Sequence, residues 1–191
     1  MDIPGYFKKG VAMARLKGEA ADEVAADPDS FIPAIVIFAV PLLVTGISDA
    51  LLVQQRMGLN TGGLVLMVTA AVMVSFLGPL FAVGILHQIA RLFKGEGKYL
   101  DCYQTMGIGS LPSWGLLLPL PYVGLLFGLW QIPVFVVVAS KVHKLGMRKS
   151  AAVVLIPFSI VILIGMASVV FPEAVSSLYM AAGKLAYRFR N

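Results

Sequence analysis

Apolar residues along this chain come in long, nearly charge-free runs. Phe31 to Val53 is one such run, with Asp49 as its one charge, and Thr61 to Leu86 holds none. A helix rising ~1.5 Å per residue needs about 20 residues to cross a ~30 Å hydrocarbon core. The runs at 31–53, 62–92 and 150–171 all reach that length. Between them, Gln104 to Ser140 is a stretch of 37 uncharged residues. As a single helix it would extend about 55 Å, nearly twice the core. The motif "LLLPLPY" lies near its middle, and proline both breaks a helix and biases the preceding residue towards extended geometry. The pattern therefore predicts two helices, 104–118 and 122–140, joined by a tight turn at Pro119–Pro121.

The predicted fold class is an all-α polytopic membrane bundle of five transmembrane helices. Residues 1–30 form a cytoplasmic segment, 31–172 the bundle and 173–191 an interfacial tail. Composition agrees: 59% of the 191 residues are hydrophobic and 13% charged, with a mean hydropathy of +0.88. Such a chain has too little polar surface for a soluble domain. The net charge of +5 is spread in short groups between apolar runs, which suits topology signals and anionic headgroups and does not suggest a nucleic-acid face. Cys102 is the single cysteine, so no intramolecular disulfide framework exists. The first thirty residues carry charges throughout, without the apolar core of a cleavable signal, so the later runs are expected to direct insertion.

Basic residues then orient the crossings. With the N-terminus inside, eleven Lys and Arg face the cytoplasm and four face outwards, the asymmetry of the positive-inside rule. The C-terminus is accordingly expected outside. In the N-terminal segment Phe7, Val11 and Ala14 recur at helical spacing among Lys8, Lys9, Arg15 and Lys17. This fits either an interfacial helix or a partly ordered lead-in. Asp29 or Ser30 is placed to cap the first crossing. Leu178, Tyr179, Leu185 and Phe189 lie among basic residues in the tail, which is expected along the outer interface.

Every predicted crossing contains a proline: Pro41, Pro79, Pro112, Pro133 and Pro157. Each removes one backbone hydrogen bond and leaves a carbonyl in need of another partner. Broken helices of this kind also occur in transporters, where freed carbonyls bind ions, although no inverted repeat is visible. Asp49 lies ~27 Å along the first helix, near the outer surface and out of reach of His87 at the opposite face. In "GILHQIARLFKGEGKYLDCY", His87 and Arg91 share a helical face at i and i+4. Arg91 and Lys94 can extend towards phosphates, Gly95 and Gly97 suit a chain leaving a helix, and His87 suits a structural hydrogen bond. Glu96, Asp101, Cys102 and His143 lack the short His/Cys spacing of a zinc site. No catalytic pattern is present either, so no metal, cofactor or enzymatic activity is expected. "GLLFG", Gly124 to Gly128, has the spacing of a close helix–helix contact.

The order of these features resembles the Yip domain family, named for Ypt-interacting proteins of membrane traffic. A basic lead-in precedes "DPDSFIPAIVIFAV"; the second helix closes on "HQIARLFKGEGKYLDCYQT", "SLPSW" opens the third, and "KVHKLGMRKSAAVVLIP" leads into the fifth. The resemblance spans Phe31 to Phe171 and is anchored at His87, Arg91, Gly95, Gly97, Pro112 and the His143–Pro157 segment. It implies five membrane-spanning helices with a cytoplasmic N-terminus. For eukaryotic members it implies association with prenylated Rab-type GTPases and roles in vesicle traffic and membrane shaping. Those members carry a long cytoplasmic N-terminal region. The thirty-residue segment here points to a prokaryotic relative in the cell membrane, for which the resemblance implies no settled activity. The expected function is non-enzymatic membrane organisation or partner recruitment. Arg91, Lys94, Lys141 and Lys144 would meet anionic headgroups or a protein partner on the cytoplasmic face; a homo-oligomer is a further partner the reading allows, and nucleic acid is not expected. The alternative is a small oligomeric transporter or channel that uses Asp49 and the proline-broken helices.

Overall fold

In the computed structural model residues 2–170 are described, apart from 59, 119 and 121. The expectations for the 173–191 tail and for the two prolines of the turn, Pro119 and Pro121, lie outside the described residues. Seven α-helices and two 3-10 segments make up the described chain, an all-α fold. The helices are α1 (Ile3–Ala14), α2 (Gly18–Ala25), α3 (Phe31–Met57), α4 (Thr61–Leu92), α5 (Tyr99–Gly109), α6 (Val123–Val142) and α7 (Met147–Val170). The 3-10 segments are Pro28–Ser30 and Leu111–Leu117.

Three helices among the described residues are long and apolar enough to cross a membrane: Pro28–Met57, Thr61–Leu92 and Val123–Val142. α3 and α4 form a hairpin with local chemistry at both sides of its turn. Gly58 takes the left-handed conformation (φ 63°) and donates to the Gln54 carbonyl at 2.9 Å, a helix ending that glycine makes without a Cβ clash. Asn60 then caps α4 by accepting from Gly63 N–H at 2.9 Å. Further along the pair, Gly46 packs directly on Ala71.

The predicted third crossing, 104–118, is not one α-helix. α5 stops at Gly109, and Pro112 opens the 3-10 segment instead of lying inside a helix. Proline has no N–H to donate, and the break is closed by side chains. Ser110 Oγ donates to the Gly107 carbonyl at 2.6 Å, and Gln131 Nε2 donates to the Gly109 carbonyl at 2.9 Å. α5 is the centre of the core: every residue from Cys102 to Gly109 is buried. Its glycines admit the neighbours. A Cβ on Gly107 would lie 2.7 Å from the Cβ of Ala34, and one on Gly109 would lie 3.3 Å from a methyl of Val138.

Residues 3–30 pack against this centre as two helices. The buried stripe of α1 is Tyr6, Gly10 and Met13, one residue off the predicted Phe7–Val11–Ala14 stripe, and Val11 is exposed. Gly10 sets this register, because a Cβ there would lie 2.9 Å from the Ile108 carbonyl oxygen. Phe7 is not idle; its ring meets Trp114 edge-on at 5.1 Å. Trp130 Nε1 donates to the Ala14 carbonyl at 2.8 Å, closing the other end of α1 onto α6. Tyr6 donates its hydroxyl to Asp27 at 2.8 Å, with Lys9 3.5 Å from the same carboxylate. Capping also differs from expectation. The Asp27 carboxylate, and not Asp29 or Ser30, accepts at the turn, from Asp29 N–H at 3.1 Å. Ser30 is buried and turns its hydroxyl back to the carbonyls of Val24 and Asp27.

The carbonyl freed by Pro41 is that of Ile37, four residues earlier, and it accepts from Trp114 Nε1 at 2.9 Å. One indole thus fills the gap in α3 and fastens the 3-10 segment to it. Replacing Trp114 by Phe should lower stability by about 1–3 kcal/mol, because a partly buried carbonyl loses its only donor. In a Pro41→Ala background residue 41 regains its N–H, and the cost of Trp114→Phe should shrink. A double-mutant cycle from thermal melts in detergent reads this coupling, and additive costs would show that the two groups are independent.

Candidate functional site

The polar sequence after α4 and the corresponding sequence after α6 meet at one place. Both helices end in the same way. After α4, Lys94 N–H donates to Arg91 O at 2.9 Å and Gly95 N–H to Ala90 O at 2.9 Å. After α6, Lys144 N–H donates to Lys141 O at 3.4 Å and Leu145 N–H to Ser140 O at 3.1 Å. In each case the left-handed residue is a lysine, Lys94 at φ 66° and Lys144 at φ 52°. Glycine normally takes this position, and an L-residue there costs roughly 1–2 kcal/mol. The turn expected of Gly95 is therefore made one residue earlier.

The two glycines serve close approach instead. Glu96 N–H donates to the His143 carbonyl at 3.1 Å, which joins the loops backbone to backbone. A Cβ on Gly95 would lie 2.9 Å from the His143 Cβ. A Cβ on Gly97 would collide with the Val142 carbonyl oxygen and lie 2.8 Å from His143 Nδ1. Lys144 and Glu96 add an exposed ion pair at 3.4 Å, which contributes little by itself.

His143 sits beneath this junction and is 1% exposed. Its ring lies 5.2 Å from that of His87, which in turn meets Tyr99 edge-on at 5.9 Å. Tyr99 donates to the Leu80 carbonyl at 2.9 Å. Neither nitrogen of His143, nor Nδ1 of His87, has a hydrogen-bond partner among the described residues. The structural hydrogen bond expected of His87 is thus not made through Nδ1. Burial pushes the His143 imidazole down to about 4, helped by the nearby His87 and Arg91 and opposed by Asp101. Cys102, in α5, is a buried free thiol. No three His, Cys, Asp or Glu side chains converge as a metal site among the described residues.

The other predicted site residues fall as follows. Arg91 and Lys94 are exposed beside the junction, while Lys141 is held by Asp22 of α2 at 2.9 Å. Asp49 is exposed on α3 in the hairpin half away from His87. Pro112 is buried at the start of the 3-10 segment. In "GLLFG", Gly124 faces Leu116, and Gly128 has open space where a Cβ would go. Sequence reasoning placed the basic loop 141–149 at this face but singled out Lys141 and Lys144 in it, not Arg148 and Lys149. Together with Phe93, Lys94 and Lys144 they line an open basin of about 520 Å³ over the junction. The repeated helix ending, K-G after α4 and K-L-G after α6, was the available signal.

The Yip1 domain matches residues 12–169. This chain belongs to the Yip1 domain family. No curated protein and no solved structure gives a match. Family membership and three apolar spans make it a multi-pass membrane protein, and members of this family are generally non-enzymatic. The Yip1 match begins inside α1, earlier than the Phe31 expected from motifs, and so takes in α2 and its packing on α5.

Two measurements test the junction. Gly97→Ala should destabilise the protein by about 1–3 kcal/mol, the usual cost of forced overpacking. Gly128→Ala, in open space, should be neutral or gain up to about 1 kcal/mol of helix propensity; equal melting temperatures would refute the tight contact. The second concerns pH. A histidine near 6.5 when unfolded and about 4 when folded binds more protons in the unfolded state. Stability is then fully present above about 6.5 and falls as pH drops towards 4. Melting temperatures across that window should decline for the parent and decline less for His143→Leu.

Proposed function

We propose that this Yip1-domain protein crosses the membrane five times with its N-terminus in the cytoplasm. It acts there without catalysis, organising lipid or recruiting a partner at the joined basic loops. The observation that carries this reading is the 3.1 Å bond between Glu96 N–H and His143 O. It brings together the C-terminal ends of two apolar spans, Thr61–Leu92 and Val123–Val142. If both spans cross, residues 93–122 must bring the chain back. α5 with its 3-10 segment offers ~16 Å of α-helix and ~14 Å of 3-10 helix, close to the ~30 Å required. The fifth crossing would be the apolar run at 150–171. Eleven of the fifteen Lys and Arg then face the cytoplasm.

The transporter alternative draws less support. Its premise was that proline-freed carbonyls stay available to ions, whereas the Ile37 carbonyl is already filled by Trp114.

Replacing Arg91, Lys94, Lys141 and Lys144 together by Gln should weaken retention of anionic lipid by the purified protein severalfold, at roughly 1 kcal/mol per cation near a charged surface. Unchanged retention, measured by mass spectrometry of co-purified lipid, would count against the reading. For topology, a single cysteine placed at residue 190 in a Cys102→Ala background should react with an impermeant maleimide from the outside of intact cells. Labelling only after lysis would overturn the five-crossing arrangement.

A further inference from the structure

Within the joined loops, the basin over the junction has features that a general basic surface lacks. Phe93, Lys94, Lys144, Leu145, Arg148 and Lys149 contribute to its wall, and its volume is about 520 Å³. Four cations, Lys94 and Lys144 from the two loops and Arg148 and Lys149 from the first turn of α7, thus line one depression, and Glu96 offsets only one of them, Lys144. Lys94, Arg148 and Lys149 have no acidic partner among the described residues, where the ion pairs are Lys9–Asp27, Lys141–Asp22 and Lys144–Glu96. Lys94 and Lys144, which line the basin, are both held in the left-handed conformation, at φ 66° and 52°.

The position of the basin selects among anions. It adjoins the ends of two apolar spans, after Leu92 and Val142, where a spanning helix meets the headgroup layer. Its wall is not all charged: Phe93, Leu145 and Met147 take part, and Met147 is exposed. Cations beside exposed apolar side chains suit a ligand with a phosphate and an attached apolar part. The charge count refines this. Ordinary anionic phospholipid offers one negative charge on a phosphodiester. A phosphomonoester carries nearly two, with three terminal oxygens, and better matches three unpaired cations lining one basin.

We propose that this basin is a binding site for a phosphomonoester headgroup, with Lys94, Arg148 and Lys149 as its ligands and Phe93 and Met147 against the glycerol and acyl portion. The proposal rests on the reading that the joined loops act at the lipid surface, and it narrows that reading to one site and one headgroup class. Lys141, tied to Asp22, is outside the site, and Arg91 does not line it.

The full-length protein is reconstituted in nanodiscs with a minor fraction of either phosphatidic acid or phosphatidylglycerol, and bound lipid is quantified by native mass spectrometry. Retention of phosphatidic acid should exceed that of phosphatidylglycerol. Arg148→Gln with Lys149→Gln should lower it about tenfold or more, the effect of losing charge-assisted hydrogen bonds, while phosphatidylglycerol retention stays level. Lys8→Gln with Lys17→Gln, at cations remote from the basin, should change neither. Soluble glycerol phosphate competing in the same range would identify a free phosphomonoester as the ligand source, and failure to compete would identify the lipid. Equal loss of both lipids in the Arg148/Lys149 variant, or no loss, overturns the site. If the fourfold Gln variant at Arg91, Lys94, Lys141 and Lys144 still sheds lipid in that case, the broader reading survives without it; if neither variant has an effect, both fail.

Discussion

A carbonyl without its helical donor cannot be left bare where water is scarce, and the rest of the fold follows from how one such carbonyl is treated. Pro41 takes the donor from Ile37, and Trp114 supplies another at 2.9 Å. That bond ties the 3-10 segment to α3, and the same indole meets the Phe7 ring at 5.1 Å. α1 is then pinned at its far end by Trp130 on the Ala14 carbonyl. Two tryptophans, both donating to main-chain carbonyls, thereby turn a charged N-terminal sequence into part of the core.

The second requirement is that α5 have no bulk on the faces it offers to its neighbours. Between apolar helices in lipid there is no hydrophobic drive to associate, so close packing of small residues takes its place. Gly107 meets Ala34, Gly109 meets Val138, and Gly10 of α1 lies over the Ile108 carbonyl. At Gly107 and Gly10 the backbone approach is closer than a Cβ allows, and at Gly109 the missing side chain gives room to a Val138 methyl. The junction of the loops repeats the device, with Gly95 and Gly97 admitting His143. The cost is a histidine whose ring nitrogens are buried without partners, and such groups resist protonation because the ion loses its hydration.

Long apolar runs were legible from sequence because a spanning helix needs nothing more than length and hydropathy. α3, α4 and α6 extend from Phe31 to Met57, Thr61 to Leu92 and Val123 to Val142, within a few residues of expectation. The broken third segment was not legible as such. An uncharged stretch signals burial, but whether Ser110 and Gln131 will satisfy an interrupted helix depends on where α6 lies. α1 was misread by one residue because hydropathy ranked Phe7 and Val11 above Gly10, while packing against a carbonyl favours the residue with no side chain. The role of Gly97 was hidden for the same reason: a glycine after a helix suggests a turn, and its true neighbour, Val142, is forty-five positions away.

Counting Lys and Arg overstates the positive charge available to lipid or partner. Lys9 is engaged by Asp27, Lys141 by Asp22 and Lys144 by Glu96. Two of these pairs hold the N-terminal helices to the bundle or to themselves and the third braces the loop junction, so these lysines serve the fold as well as the orientation rule. Exposed pairs of this kind contribute about 0–1 kcal/mol each, so they choose an arrangement more than they stabilise it. The choice has a consequence for function. Drawing Lys141 towards α2 leaves Lys94, Arg148 and Lys149 as the free cations around the basin among the described residues. Asp22 of α2 thus engages Lys141 without lining the basin, and the N-terminal helices take part in the charge pairing as well as in the core.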